Sequence, residues 1–368
     1  MSGSDNKVSI YEAAGVERVR RELRLDPQHV RRLRLAFFKK FLGANAALAE
    51  LPEPVRAAFG ERVRFHPLRV HSRHDSSLDG ATKLLLETDA GMLVEAVILR
   101  IDTGRTTLCV SSQVGCAAAC DFCATGRMGI AQNLSAGEIL DQLVLAGELL
   151  AAEGRRVRNL VLMGMGEPLH NEAGVQAAIE GLVAADGFHH PAGRVLLSTV
   201  GIPDAMVRFG RRLPGVNLAL SLHSVRQETR ERLIPLAKHY PLADLRAAVA
   251  ELNRLQGRPV MLEFLMLAGM NDSLEEAAEL VEWCDGLNVH VNLIPYNPVD
   301  DAPHLAGTDR AGREAFAGVL KGAGLTCTIR YSLGADIAAA CGQLVRRENR
   351  VLARRHYDPH AAAGKLGG

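Results

Sequence analysis

Residues 1 to about 60 carry apolar side chains at helical spacing. Val30, Leu33, Phe37, Phe38 and Leu42 recur with basic side chains between them, and this period predicts amphipathic helices. From about residue 62 to residue 101 the pattern changes to short apolar runs, which are separated by the polar segments HDSSLDGA and AG. These runs predict a small antiparallel meander whose second connection is a tight turn.

From residue 106 onward, apolar runs alternate with segments of helical pattern. The runs are TTLCVSS, VRNLVLMGMG, RVLLSTVG, VNLALSLHS, PVMLEFLML, HVNLIPYN and LTCTIRYS. Such alternation predicts parallel strands joined by right-handed helical crossovers. Ser135 and Glu138 have the spacing of a capping box and mark the start of the first crossover helix. The predicted fold is α/β, a complete or partial β/α barrel that follows a small domain of helices and antiparallel strands.

The changes of pattern divide the chain into three predicted parts. These are an N-terminal accessory domain over residues 1–100, a barrel core over residues 101–345 and a basic tail over residues 346–368. The net charge is only +1, but nine basic and three acidic side chains lie between Glu17 and Lys40. A solvated helix face explains such a run of charge, and the alternative is a contact with a nucleic-acid backbone.

The polar residues of the barrel segment concentrate where its strands end. They occupy positions 164–167, Ser198, Thr199, positions 221–223 and Asn297. In a β/α barrel the reacting groups lie at the C-terminal ends of the strands. These positions are therefore the candidate site.

The chain contains seven cysteines, an odd number for a framework of disulfides. It has no apolar run long enough for a membrane span and no secretory leader pattern at its start, which predicts a cytoplasmic protein without membrane contact. In a reducing compartment, cysteines of this number indicate metal binding, redox chemistry or catalysis.

Three of the cysteines cluster directly after the first barrel strand. Cys116, Cys120 and Cys123 stand in SSQVGCAAACDFCATGRMG, where one short loop can direct three thiolates to an iron–sulfur cluster. A structural zinc site with Cys109 as the fourth ligand is an alternative, and buried inert cysteines are another. The aromatic residue before the last cysteine and the position of the loop favour the cluster.

The spacing C-x3-C-x2-C with Phe122 before the last cysteine resembles the signature of the radical S-adenosylmethionine (SAM) superfamily. The resemblance implies a four-iron, four-sulfur cluster with one open iron, which binds SAM and cleaves it to a 5′-deoxyadenosyl radical. MGMGEPL resembles the family's Gly-Gly-Glu strand, which binds the SAM amino group. Glycines let the backbone approach a ligand, and a carboxylate pairs with an ammonium group.

Further strings resemble the RNA adenine methyltransferases of the RlmN/Cfr type. They are LCVSSQVGC, CATGRMG, LMGMGEPL, LSTVGI, LSLHS, NLIPYNP and GADIAAACGQL. One branch of that family methylates carbon 2 of a 23S ribosomal RNA adenine and often tRNA, and the other methylates carbon 8 of the same adenine. The resemblance implies two SAM molecules per turnover, a flavodoxin-like electron donor and a reductant for a transient disulfide.

The resemblance assigns roles to those residues of this chain that match the family's motifs. Cys341 becomes the methyl carrier, Cys109 the thiol that resolves it and Glu95 the proton acceptor. The implied SAM site consists of Gly166, Glu167, Ser198, Ser221, Leu222, His223 and Asn297.

Without the resemblance, several of these residues have plainer explanations. Cys109 in a strand is an ordinary small core residue, Glu95 on an alternating strand can face solvent, and His223 can be a core histidine. Asn297 beside a proline fits turn chemistry. Two other functions also stay open. One is a radical SAM enzyme with a non-RNA substrate, and the other is a non-catalytic RNA-binding protein stabilised by a metal.

Two departures from the family pattern leave the methylated carbon open. Leu333 stands where the carbon 2 branch usually has arginine, and this favours carbon 8. The proline of MGMGEPL is common in the carbon 2 branch. The N-terminal region also lacks the arginine- and tryptophan-bearing helix expected before the barrel.

Overall fold

The structure is a computed structural model that describes residues 7–101 and 103–343. The basic tail predicted over residues 346–368 lies outside the described residues. Within them, no helix is both long enough and apolar enough to cross a lipid bilayer.

The N-terminal part is helical, as its apolar period predicts. Its helices are α1 (Ala13–Glu22), α2 (Pro27–Phe38), α3 (Gly43–Leu48) and α4 (Glu53–Arg62), enclosed by a short parallel pair, β1 (Val8–Ser9) and β2 (Val63–Arg64). Asp26 caps α2 by accepting a hydrogen bond from Gln28 N, with a proline as the first helical residue. Buried apolar side chains from these helices, with Leu33, Phe37 and Phe59 at the centre, form a core of their own.

The meander and the first barrel strand follow. The strands β3 (Arg69–Asp75), β4 (Ala81–Glu87) and β5 (Leu93–Arg100) pair antiparallel as predicted, and β5 also pairs antiparallel with β6 (Thr106–Cys109). A separate two-stranded hairpin, β7 (Gln113–Cys116) and β8 (Gly129–Asn133), comes next. The sequence predicts a loop over this stretch, because its glycines and cysteines interrupt the apolar alternation that is typical of a strand.

The rest of the chain alternates strands and helices in the predicted order. The strands are β9 (Asn159–Leu162), β10 (Val195–Thr199), β11 (Asn217–Ser221), β12 (Val260–Met266), β13 (Val289–Pro295) and β14 (Thr326–Ile329). The helices are α5 (Ala136–Ala152), α6 (Glu172–Val183), α7 (Pro203–Arg212), α8 (Gln227–Leu233), α9 (Leu242–Gln256), α10 (Leu274–Trp283) and α11 (Arg310–Gly322). The capping box of Ser135 and Glu138 starts α5.

One ten-stranded sheet unites the meander with the barrel strands, in the order β14-β13-β12-β11-β10-β9-β6-β5-β4-β3. The pairs from β6 to β14 are parallel, which confirms the α/β class. In the described part of the chain, β3 and β14 each have one neighbour, so the barrel is partial and its sheet open. β5 is hydrogen-bonded to β6, the first barrel strand, so side chains on β5 can lie beside the barrel interior.

Candidate active site

The three clustered cysteines belong to the β7–β8 hairpin. Cys116 is the last residue of β7, and Cys120 and Cys123 lie in the long connection that leads to β8. Asp121 N donates to Leu233 O at 2.9 Å, and this bond fixes the connection against the end of α8. At Gly126 an added Cβ would approach Cys120 N to 2.8 Å. A glycine therefore lets the connection fold back tightly on itself.

A cavity of about 900 Å³ lies at the C-terminal ends of the barrel strands, a volume that includes the solvent space at its opening. Its lining includes Cys116, Cys120, Phe122, Cys123, Gly166, Glu167, Ser198, Ser221, His223, Arg330 and Cys341. Most of the predicted SAM-site residues thus meet the cysteine hairpin around one space. Leu222 is instead fully buried in the main core, and Asn297 lies beside the cavity.

The cysteine thiols have the environment of metal ligands. Burial raises the pKa of the Cys116 thiol to about 12, and burial together with the neighbouring cysteines raises the pKa of Cys120 well above its ordinary value. Such thiols become thiolates when a bound cation stabilises the charge. Among the described residues, no three His, Cys, Asp or Glu side chains are arranged around a single ion. A four-iron cluster takes each thiolate on a different iron, and Cys116, Cys120 and Cys123 all line one cavity.

A buried arginine next to the hairpin was not found from the sequence. Arg230 has no exposed surface, and it donates to Val200 O and, at 3.5 Å, to Ser221 O. Burial lowers its pKa to about 10, while the nearby Cys120 opposes that shift. Arg230 therefore places a positive charge beside cysteines that carry negative charge when a cluster is bound. On the sequence it was one of several arginines of an amphipathic helix, without a distinguishing signal.

The MGMGEPL segment follows β9 and brings backbone close to the cavity. Gly166 has φ +103°, and an added Cβ would lie 2.7 Å from Gln113 Cβ. The buried Glu167 carboxylate accepts hydrogen bonds from Leu169 N at 2.9 Å and Val200 N at 2.8 Å. Burial raises the pKa of Glu167, while these backbone donors lower it. The carboxylate is thus held in a fixed direction at the cavity wall, as binding of an ammonium group requires.

We expect Gly166→Ala to weaken SAM binding. The left-handed backbone and the contact with Gln113 would cost about 1–3 kcal/mol, which corresponds to a loss of roughly 5- to 150-fold in SAM affinity if the segment shifts. Isothermal titration of the reconstituted protein with SAM measures the effect. Gly154→Ala is the control for backbone strain alone, because Gly154 has φ +66° but nothing lies close to the position of an added Cβ. Equal SAM affinity in both variants would contradict the assignment.

His223 is a neutral, fixed side chain at the end of β11. Its Nδ1 accepts a hydrogen bond from Leu265 N at 3.0 Å, which leaves Nε2 as the protonated nitrogen. Burial, with a further contribution from Arg230, lowers its pKa to about 3. The ring packs edge-on against Phe122, with 4.8 Å between ring centroids. His223 thus lines the cavity, and its ring contacts the cysteine hairpin through Phe122.

A second cavity, about 860 Å³ by the same measure, adjoins the first. Cys109 and Cys341 both line it, and Met163, Ile294, Arg330 and Cys341 line the two cavities in common. Cys341 therefore stands at the boundary between them. Its side chain is in contact with both spaces.

The charges around these two thiols are coupled. Burial raises the pKa of Cys109 to about 12, the nearby Cys341 contributes in the same direction, and Arg330 opposes them. Arg330 is half-buried, and its pKa is raised first by Cys341 and further by Glu263 and Cys109. Its positive charge acts to lower the pKa of the Cys109 thiol and so favours the thiolate of Cys109. Arg330 stands in the run LTCTIRYS, where nothing in the pattern distinguishes it from an ordinary strand residue.

Glu95 lies on the same face of the sheet as Cys109. Val97 on β5 pairs directly with Cys109 on β6, and Glu95 is two residues from Val97. Glu95 is fully buried, so the solvent-facing alternative is wrong. The buried Lys83 Nζ is 3.8 Å from Glu95 Oε2 and donates to Ala338 O at 3.1 Å. The pair connects the candidate base to the segment before Cys341.

The segment over residues 333–343 is held by several strands and loops. Asp336 accepts hydrogen bonds from Ser76 and Ser77, before β4. Asn297 Nδ2 donates to Cys341 O at 3.2 Å, and Ala124 N of the hairpin connection donates to Gly342 O at 2.8 Å. The described contact of Asn297 is thus with the backbone of Cys341. Cys284 and Cys327 are buried in the main core.

The comparisons with known proteins agree with this arrangement. The model of the radical SAM superfamily matches residues 110–282, which contain the cysteine hairpin and most of the first cavity's lining. A probable RNA methyltransferase of Rhodopirellula baltica is 54% identical over 96% of this chain and 92% of its own length. The chain belongs to the radical SAM RNA methyltransferases.

Other members of this family are similar over most of their length. A probable dual-specificity RNA methyltransferase RlmN of Thermus thermophilus is 41% identical over 88% of this chain and 90% of its own. The solved structure of a radical SAM methyltransferase from Sphaerobacter thermophilus has a TM-score of 0.85 at 35% identity, over 92% of this chain and 98% of that one. Membership implies SAM and a four-iron, four-sulfur cluster as cofactors, and it confirms the predicted RNA methyltransferase class.

Proposed function

We propose that this radical SAM RNA methyltransferase adds a methyl group to carbon 2 or carbon 8 of an RNA adenine, with Cys341 as the methyl carrier. The proposed substrate is 23S ribosomal RNA, with tRNA as a second one. The dual-specificity name of the Thermus thermophilus relative supports more than one RNA. The observation that carries the proposal is the placement of Cys341 between two cavities, with Cys109 and Arg330 beside it.

The roles of the chain's own residues follow from this placement. The Cys341 thiolate displaces the methyl group from one SAM molecule, so a sulfur–carbon bond forms at Cys341 as the sulfonium bond breaks. Cys116, Cys120 and Cys123 would hold the cluster, which would supply the electron for cleavage of a second SAM. The resulting radical would take a hydrogen atom from the methyl group on Cys341, and the sulfur-bound methylene would then add to the adenine carbon, so that a carbon–carbon bond forms. Glu167 orients the SAM amino group.

Release of the product requires a second thiol and a base. Cys109 attacks the Cys341 sulfur, so a disulfide forms while the bond between that sulfur and the transferred carbon breaks. Arg330 stabilises the attacking thiolate, whose pKa is otherwise high. Glu95 removes the proton from the adenine carbon. An external thiol reductant then reopens the disulfide, and an external flavodoxin-like protein returns an electron.

The two cavities argue against the other candidate functions. A radical SAM enzyme without a thiol carrier has no use for two further cysteines, Cys109 and Cys341, beside an arginine. A binding protein stabilised by metal has no use for a SAM-sized cavity beside its cysteines. We also propose that residues 1–100 form an RNA-binding accessory domain, that residues 101–345 form the catalytic core, and that the protein acts in the cytoplasm.

Iron and sulfide analysis of anaerobically purified protein tests the cofactor part of the proposal. We expect about four irons per chain, with nearly complete loss when Cys116, Cys120 and Cys123 are all changed to alanine. Cys284→Ala is the matched control, because that cysteine is also buried but lies in the core. Zinc in place of iron would reject the radical mechanism. RNA mass spectrometry after turnover then identifies the methylated nucleotide and carbon.

A further inference from the structure

A basic groove lies at the opposite end of the barrel from the active site. Arg155, Arg156 and Arg158 directly precede β9, and Arg194 directly precedes β10. In a parallel sheet the N-terminal ends of the strands share one edge, while the active site lies at the other. Lys39 and Lys40, which follow α2, form the facing wall. The groove therefore lies between the N-terminal helices and the barrel.

Positive charge predominates in this groove, and the nearby Glu153, outside the described lining, interacts electrostatically with Arg155. Its described lining contains six Lys or Arg residues and two histidines but no acidic side chain. None of the six cations forms a salt bridge with a described residue. Two buried nitrogens of the wall, Arg155 Nη1 and His190 Nε2, also have no hydrogen-bond partner within residues 7–101 and 103–343. A buried donor such as Arg155 Nη1 is costly unless a ligand accepts a hydrogen bond from it.

Aromatic packing fixes the shape of the groove. The Phe188 ring packs at a tilt against the Phe38 ring, with 4.8 Å between their centroids. This contact connects the segment that precedes β10 to α2. Phe41 has a left-handed backbone with φ +52°, and its ring occupies the space where Gly147 of α5 lacks a side chain. The lysines before Phe41 are therefore held on a fixed turn.

We infer that this groove binds the phosphodiester backbone of the RNA substrate, away from the reacting base. At about 1850 Å³ with its open mouth, it is about twice as large as the SAM cavity by the same measure. It therefore suits a chain of phosphates better than a small anion. Cations that contact phosphates fix the register of an RNA without reading its sequence. This inference rests on the proposed function, because it adds a second contact to the same substrate.

The position favours RNA over an acidic electron-transfer protein. A strand such as β9 or β10 spans roughly 13–17 Å at about 3.3 Å per residue, and that length separates the groove from the cysteine hairpin. An electron donor seated here would be far from the cluster. A folded RNA, in contrast, can place one base at the barrel mouth and another segment of backbone at the groove.

Binding of a labelled hairpin RNA tests the inference. The probe is a fluorescein-labelled stem of about 16 base pairs, titrated with the reconstituted holoenzyme from about 50 to 200 mM KCl. The exposed pair Arg156→Ala with Arg158→Ala should reduce the slope of log affinity against log salt by about 2, since each phosphate contact contributes about 0.9. Lys321→Ala, on an exposed position of α11, is the control and should leave the slope unchanged.

Further readouts separate the failure of this inference from the failure of the proposed function. The double variant should raise KM for RNA and leave RNA-independent SAM cleavage unchanged, because no changed residue lines the SAM cavity. Unchanged RNA binding and KM, in an enzyme that still methylates RNA, would overturn the groove assignment alone. Normal RNA binding with slower reduction by a flavodoxin would assign the groove to the electron donor instead. A wild-type enzyme that methylates no RNA would overturn the proposed function.

Discussion

Cys341→Ala is expected to abolish methyl transfer to RNA while leaving reductive cleavage of SAM intact. Cys341 is the only described cysteine that lines both cavities, so no other described thiol can take its place. The loss should be about 10³-fold or more, the scale observed when a covalent nucleophile is removed. Cleavage should persist because Cys116, Cys120, Cys123 and Glu167 are unchanged. Chromatography of 5′-deoxyadenosine and incorporation of labelled methyl groups into RNA measure the two activities.

The control for this variant is Cys327→Ala, which removes a buried core cysteine at the far side of the sheet on β14. It should keep both activities, apart from a loss of thermal stability. RNA that is still methylated by Cys341→Ala would reject the thiol-carrier mechanism. Loss of both activities, with the cluster still present by iron analysis, would show instead that Cys341 is required for SAM binding.

Cys109→Ala is expected to trap the enzyme covalently on its RNA. Without this thiol, the other described thiol near Cys341 is Cys123, which is occupied as a cluster ligand in the proposed mechanism, so the bond between sulfur and the transferred carbon persists. At most one turnover should occur, and most of the labelled RNA should comigrate with the protein in a denaturing gel. Treatment with ribonuclease followed by mass spectrometry of the Cys341 peptide would identify the attached nucleotide.

The double variant Cys109→Ala with Cys341→Ala serves as the control, and it should show no adduct because the carrier is absent. Free methylated RNA released by Cys109→Ala over many turnovers would reject Cys109 as the resolving thiol. The pH response gives a further check. Because burial raises the pKa of Cys109 to about 12, its thiolate fraction rises about tenfold per pH unit near neutrality. In the wild type, disulfide formation should therefore accelerate as pH rises, until another step limits the rate.

The chain's local periodicities were enough to predict most of the fold. Helical spacing around Leu33 and Phe37 identified the N-terminal helices, and alternating strands and helices identified the parallel sheet. The β7–β8 hairpin was missed because Gly115, Cys116 and Gly129 interrupt the apolar alternation that marks a strand. The pairing of β5 with β6 was also missed, since neighbours across a sheet are set by packing rather than by local pattern.

The candidate site was predictable where its residues stand in motifs and hidden where they do not. Cys116, Cys120 and Glu167 stand in recognisable strings at the ends of strands. Lys83, Arg230 and Arg330 gave no such signal. From the sequence alone, a lysine or arginine beside the site cannot be distinguished from one on the surface, because its neighbours in space are not known. Nor did the sequence show that Asn297 contacts the backbone of Cys341.

The match to the superfamily model stops short of the residues that use the radical. Residues 110–282 contain the cysteine hairpin, Glu167, Ser198, Ser221 and His223. Glu95 and Cys109 lie before that stretch, and Arg330 and Cys341 lie after it. In the proposed mechanism, the residues that generate the radical and those that direct it to an acceptor thus stand in separate stretches of the chain. Mutations outside the matched stretch could then change the acceptor chemistry while the residues that hold the cluster and SAM stay the same.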